Sequence, residues 1–136
     1  MLFMWFVRWG LYAVTHGTSP FLTHHLNYPA GVNLMWNTAV PLASVVAAPL
    51  TSRFGAVAAY DLLTTLGVAL SGWCAYLMMS RYVVRRLAAF AGALVYGFSP
   101  FVLAEGLGHL HLVLAAIGPP LLFLVLDELL VRQRLS

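Results

Sequence analysis

From residue 62 to residue 80 the chain carries no charged side chain, with Asp61 at one end and Arg81 at the other. A bilayer core about 30 Å thick needs about 20 mostly apolar residues per spanning helix, so a run of this length predicts a membrane helix. The pattern recurs. Residues 87–104 lie uncharged between Arg86 and Glu105, residues 106–126 between Glu105 and Asp127, and residues 34–52 ahead of Arg53. Gly67, Ser71 and Gly72 give the first of these runs small faces for close helix packing. Ser99 and Pro100 interrupt the second late, and Pro119 and Pro120 predict a kink in the third near its middle. The stretch 34–52 carries Asn37, Pro41 and Pro49, so it either crosses the membrane or lies along its outer surface.

Composition closes off the other classes. The chain is 62% hydrophobic and 8% charged, against about 45–50% and about 25% for soluble domains. Seven arginines, no lysine and four acids cannot coat a water-soluble shell. No basic stripe interleaves with stacking aromatics, which argues against nucleic acid as a partner. The lone Cys74 sits in an apolar run, where it packs or faces lipid and forms no intrachain disulfide. The N-terminal charge follows its apolar stretch and no small-residue cleavage pattern is present, unlike a secretory signal.

The arginines also set an expected orientation. Arg81, Arg85 and Arg86 form the densest cluster, and positive flanks stay cytoplasmic. The stretch from Glu105 to His111 then emerges outside, and the chain returns to a tail holding Arg132 and Arg134. The expected class is all-α: a polytopic transmembrane bundle with about three spans, near 57–80, 87–104 and 110–131, in a helical region 56–136. Residues 1–55 are expected to form an extracytoplasmic loop with interfacial helices. Phe3, Trp5, Phe6, Trp9 and Tyr12 surround Arg8 in the first of these helices, which Gly17 ends. If 34–52 lies on the surface, all five histidines face one compartment.

Two clusters carry chemistry. The loop 21–37 gathers His24, His25, Asn27, Tyr28, Asn33 and Asn37, whose groups hydrogen-bond sugar hydroxyls or phosphate oxygens, while Tyr28 and Trp36 offer faces to a sugar ring. The bland alternative is that these groups satisfy local backbone. Glu105, His109 and His111 form the second cluster, at membrane depth where ionisable groups are costly. Glu105 suits a general base or, with the histidines, a divalent metal. In a regular helix residues two apart point about 200° apart, so His109 and His111 cannot share one ion there. Asp61 reads as a helix N-terminal carboxylate, and Glu128 as a partner for Arg132. No nucleotide loop, nucleophile elbow or zinc-hydrolase motif is present.

The run from His25 through Asn27, Tyr28, Pro29, Gly31, Asn33, Met35, Trp36 and Asn37, the step Gly97-Phe98-Ser99-Pro100-Phe101 and the sequence Gly108-His109-Leu110-His111 resemble the N-terminal third of bacterial multi-pass membrane glycosyltransferases of the C-type superfamily, in the form commonest among actinobacteria. The resemblance covers nearly the whole chain and fixes no substrate. It implies a plasma-membrane enzyme that transfers a hexosyl or pentosyl group from a polyprenyl-phosphate donor to an extracytoplasmic acceptor. It also implies a first span and a catalytic acid upstream of Met1, so the chain alone is expected to transfer no sugar without the remainder of the parent protein. Glu105 stands where that family often has a second polar or acidic position. A noncatalytic transporter or flippase component, or a degenerate remnant, that binds a lipid head group is the alternative.

Overall fold

The computed structural model describes residues 2–36 and 39–131. The protein is mostly helical. Two helical stretches, Ala48–Met79 and Leu110–Val131, are long and apolar enough to cross a membrane, and a third crossing is available if the bent pair Arg86–Gly97 and Pro100–Gly106 acts as one span. The candidate Asn37 lies outside the described residues, as do Arg132 and Arg134. The chain divides into two compact units, Met1–Leu63 and Thr64–Ser136.

In the first unit α1 (Leu2–His16) buries Phe3, Phe6, Val7, Gly10 and Ala13. The spacing of three and four residues is that of one helical face. Gly10 lets α1 approach Ser44 of α2 (Pro41–Val46), where an added Cβ would collide with the serine side chain. Gly17 ends α1 with φ +62°, a left-handed conformation that glycine adopts without penalty. A two-residue antiparallel pair follows, β1 (Leu22–Thr23) and β2 (Val32–Asn33), with Leu22 opposite Asn33 and Thr23 opposite Val32. The hairpin is pinned to α1 by Trp9, whose indole Nε1–H donates to the Pro20 carbonyl at 3.1 Å. Trp9 is buried, so Trp9→Phe keeps most of the packing and leaves the Pro20 carbonyl without that donor. The expected loss is about 0.5–1.5 kcal/mol, read as a lowered midpoint for thermal loss of near-ultraviolet signal.

The stretch 34–52 is not one helix. A 3-10 turn at Leu34–Trp36, the short α2 and a turn at Ala47 precede α3 (Ala48–Met79). Pro41 sits at the start of α2, and the prolines of this stretch begin helices instead of breaking them, because the ring supplies a helical φ where no amide donor is needed. The interruption inside α3 falls at Gly55, with φ +85°. Asp61 is therefore inside a helix and beyond its first turn. The expected N-terminal carboxylate role fails there, since the macrodipole's influence fades within one turn.

In the second unit α4 (Arg86–Gly97) returns along α3. A Cβ on Gly97 would come within 2.9 Å of the Gly72 Cα. Small residues here let two backbones touch. Ser99 then starts α5 (Pro100–Gly106), its Oγ accepting from the Val102 amide at 3.4 Å with Pro100 in the first turn, and the pair α4–α5 bends by 42°. A serine cap followed by proline favours a new helix over a continued one. α6 (Leu110–Ala115) and α7 (Gly118–Leu126) continue into a π turn at Asp127–Val131. Pro119 and Pro120 occupy the first turn of α7, and the break lies just ahead of them at Ala116 and Ile117. Val102, Val113 and Ala116 pack with Val68 to join α3, α5 and α6. At the far end Arg81 donates to Glu128, and this hydrogen bond with the nearby carboxylates raises the guanidinium's pKa further. Glu128 is thus engaged by the turn after α3.

Candidate functional site

The polar hairpin divides by what its atoms do. His24 Nδ1 lies 3.2 Å from the Pro29 carbonyl. Asn27 takes a left-handed φ of +52°, and its Nδ2 donates to the Gly31 carbonyl at 3.4 Å. Asn33 Oδ1 accepts from the Met35 amide at 2.9 Å. These three build the turn, as Asn does where its amide substitutes for backbone partners. Tyr28, in cis linkage to Pro29, is 84% exposed and Trp36 is 91% exposed, so both rings present their faces outward.

His25 does something the sequence did not disclose. Its backbone amide donates to Thr23 Oγ1 at 3.1 Å, and its ring sits 5.4 Å from Trp9 and 5.3 Å from Tyr12. Trp5 stacks on Trp9 at 5.5 Å, Trp9 on Tyr12 at 5.3 Å, and Tyr12 on His16 at 4.0 Å. Residues 5, 9, 12 and 16 recur at the four-three-four spacing of one helical face, a signal legible in advance. Trp5, Trp9, Tyr12 and His25 with Arg8 line a concavity of about 190 Å³. An arginine beside stacked rings suits an amphipathic headgroup or a sugar face.

The second cluster is assembled by a broken helix. α5 ends at Gly106, Leu107 and Gly108 turn, and His109 takes the nonhelical N-cap position of α6 with φ −129° and ψ 68°. Its amide still donates to the Glu105 carbonyl at 2.7 Å. That residual turn brings His109 Nδ1 to 2.6 Å from Glu105 Oε2. The carboxylate accepts from Nδ1–H and fixes the ring's tautomer, which makes Nε2 the basic nitrogen. The Glu105 side chain is 24% exposed and that of His109 58%, so the imidazole reaches solvent from a carboxylate anchored behind it. His111 stands in the first turn of α6, half-buried, its ring edge-on to His109 at 5.9 Å. The unwound His109 removes the opposed geometry expected of a continuous helix.

The Glu105–His109 pair is where the expected divalent metal would bind. Among the described residues no three His, Cys, Asp or Glu side chains converge as a cage. Glu105 and His109 supply two donors, and further ligands to a divalent ion there would come from water or a substrate phosphate.

Residues 4–126 match a protein family described as a domain of unknown function, DUF6311. The chain belongs to the DUF6311 family. The matched stretch includes both clusters, so the hairpin and the Glu105–His109 contact are features of its DUF6311 region. No curated protein and no solved structure shows significant similarity to the chain.

Proposed function

We propose that this DUF6311 chain is part of a plasma-membrane glycosyltransferase that moves a sugar from a polyprenyl-phosphate donor to an acceptor outside the cytoplasm. The observation that carries the reading is the 2.6 Å contact between Glu105 Oε2 and His109 Nδ1 at the exposed end of a broken apolar helix. A carboxylate that orients an imidazole is an established way to build a general base. In the proposed step, His109 Nε2 takes the proton of the acceptor hydroxyl. The hydroxyl oxygen attacks the anomeric carbon, and the bond to the lipid phosphate breaks with its electron pair leaving on that phosphate. Glu105 holds the imidazolium that forms. His111 and, on the first unit, the hairpin groups with the exposed Tyr28 and Trp36 serve substrate binding in this reading. The broader alternative, head-group binding without chemistry, draws on the Arg8 shelf with its stacked tryptophans.

The reading requires both clusters on one side of the membrane and the arginine turn on the other. In a Cys74→Ala background, single Tyr28→Cys and Leu107→Cys variants are expected to react with an impermeant maleimide added to intact cells, and Val84→Cys only after permeabilisation. All three probe positions are well exposed, at 84%, 87% and 97%. Protection of Tyr28→Cys with labelling of Leu107→Cys would put the two clusters in different compartments and overturn the reading. The activity itself is tested with vesicles containing the complete gene product and labelled polyprenyl-phosphate hexose and pentose donors. Absence of transfer from every such donor leaves the head-group reading in its place.

A further inference from the structure

A groove of about 610 Å³ opens between α3 and α4, with Val68, Gly72 and Tyr76 on one wall and Leu87, Phe90 and Phe98 on the other. Among the described residues Arg86 is the one charged residue that lines it, at the end where the turn joins the two helices. Arg81 is committed to Glu128. Among the described residues no acid pairs with Arg85 or Arg86, and both are exposed. The result is an uncharged channel with positive charge at one end.

We propose that this groove holds one acyl chain of an anionic glycerophospholipid, with the phosphate resting on Arg86 and Arg85. Length supports the choice of occupant. From Leu87 to Phe98 the helix rises about 16 Å at 1.5 Å per residue, close to half of a bilayer core of about 30 Å. That is the depth of a single leaflet. Charge supports it as well. A zwitterionic lipid brings a cation beside its phosphate and leaves the arginines' charge unbalanced, and a second copy inserted with the same topology brings its own arginines to the same depth. Basic residues on helices at a membrane surface attract anionic headgroups by about 1 kcal/mol each, which is about fivefold in affinity per arginine. This proposal does not depend on glycosyl transfer.

The test uses the full chain purified in detergent, with lipid retention followed by native mass spectrometry. Phosphatidylglycerol is expected to remain bound to the wild type and to be retained about 25-fold less by the Arg85→Gln, Arg86→Gln double variant. Ala69→Phe fills the groove from an exposed position and leaves the arginines in place. It is expected to lose phosphatidylglycerol too, while phosphatidylcholine, whose choline cation offsets its phosphate, falls less than phosphatidylglycerol on the arginine changes. Equal phosphatidylglycerol retention in all three proteins overturns the proposal. So does loss in the arginine variant alone, which means a bare basic patch, or a dimer that only Ala69→Phe dissociates, which means a second copy covers the groove. As a check on the unmodified protein, phosphatidylglycerol with an acyl-chain diazirine should label Trp73 or Phe90, and labelling confined to other segments also overturns it.

Discussion

Replacing Glu105 by glutamine in the complete gene product is expected to lower sugar transfer by about 10²- to 10⁴-fold, the range general acid–base groups contribute. Glutamine keeps the size of the side chain and can still accept a hydrogen bond from His109 Nδ1. It cannot neutralise an imidazolium, so protonation of the ring during attack becomes costly. His109→Gln removes the basic nitrogen itself and should fall in the same range. The double variant is expected to be no slower than the worse single, because a base and its orienting carboxylate act as one unit and their losses do not add. The turnover number should carry the change, with the Michaelis constant for the donor little altered. Helical content by circular dichroism should hold, since Glu105 and His109 meet at an exposed helix end. Transfer at the wild-type rate by either single variant would remove the pair from the mechanism.

Gly97→Val is expected to be the most damaging of the conservative substitutions in the second unit. A Cβ at residue 97 would lie 2.9 Å from the Gly72 Cα and 3.1 Å from the Gly72 nitrogen. Both atoms are backbone, so only a separation of α3 from α4 relieves the clash. Overpacking of this sort costs about 1–3 kcal/mol, and branching at Cβ adds to the volume that must be accommodated. Gly92→Ala is the informative contrast. Its new Cβ would meet Met79 Sδ at 2.7 Å and Cε at 3.4 Å, the far end of a flexible thioether side chain that can rotate aside. Alanine also favours the helix by about 1 kcal/mol over glycine. Thermal loss of helical signal in detergent should therefore come several degrees earlier for Gly97→Val and no earlier for Gly92→Ala. Equal losses in both would mean that backbone approach at Gly72 and Gly97 is not what sets the tolerance of α4.

Much of the helix layout was legible because its causes are local. Ionisable groups resist burial in lipid, so Arg81, Arg86, Glu105 and Asp127 bracket apolar runs, and helices fill much of the intervals. Gly17 and the Ser99-Pro100 step mark helix ends through backbone freedom and ring geometry. The same local logic misplaced Asp61, because the chain turns at Gly55 and not at the charge. Nothing local announced that Glu128 also receives Arg81, 47 positions away, and its expected partner Arg132 lies outside the described residues.

The sequence by itself determined that this is a helical, membrane-suited chain with polar groups gathered in two short segments, since burial cost and turn chemistry act within a few residues. Tertiary structure alone decided which of those groups meet. The Trp9 and Tyr12 rings receive His25 because the hairpin folds back on α1 and is held by the Pro20 carbonyl. Gly72 meets Gly97 because α4 runs back along α3. Even the Glu105–His109 contact, at a spacing an unbroken helix would bring together, survives here through the Gly108 and His109 amides, which both donate to the Glu105 carbonyl across a turn. Contacts between distant segments depend on how the chain returns on itself, and that is settled by the packing of whole helices.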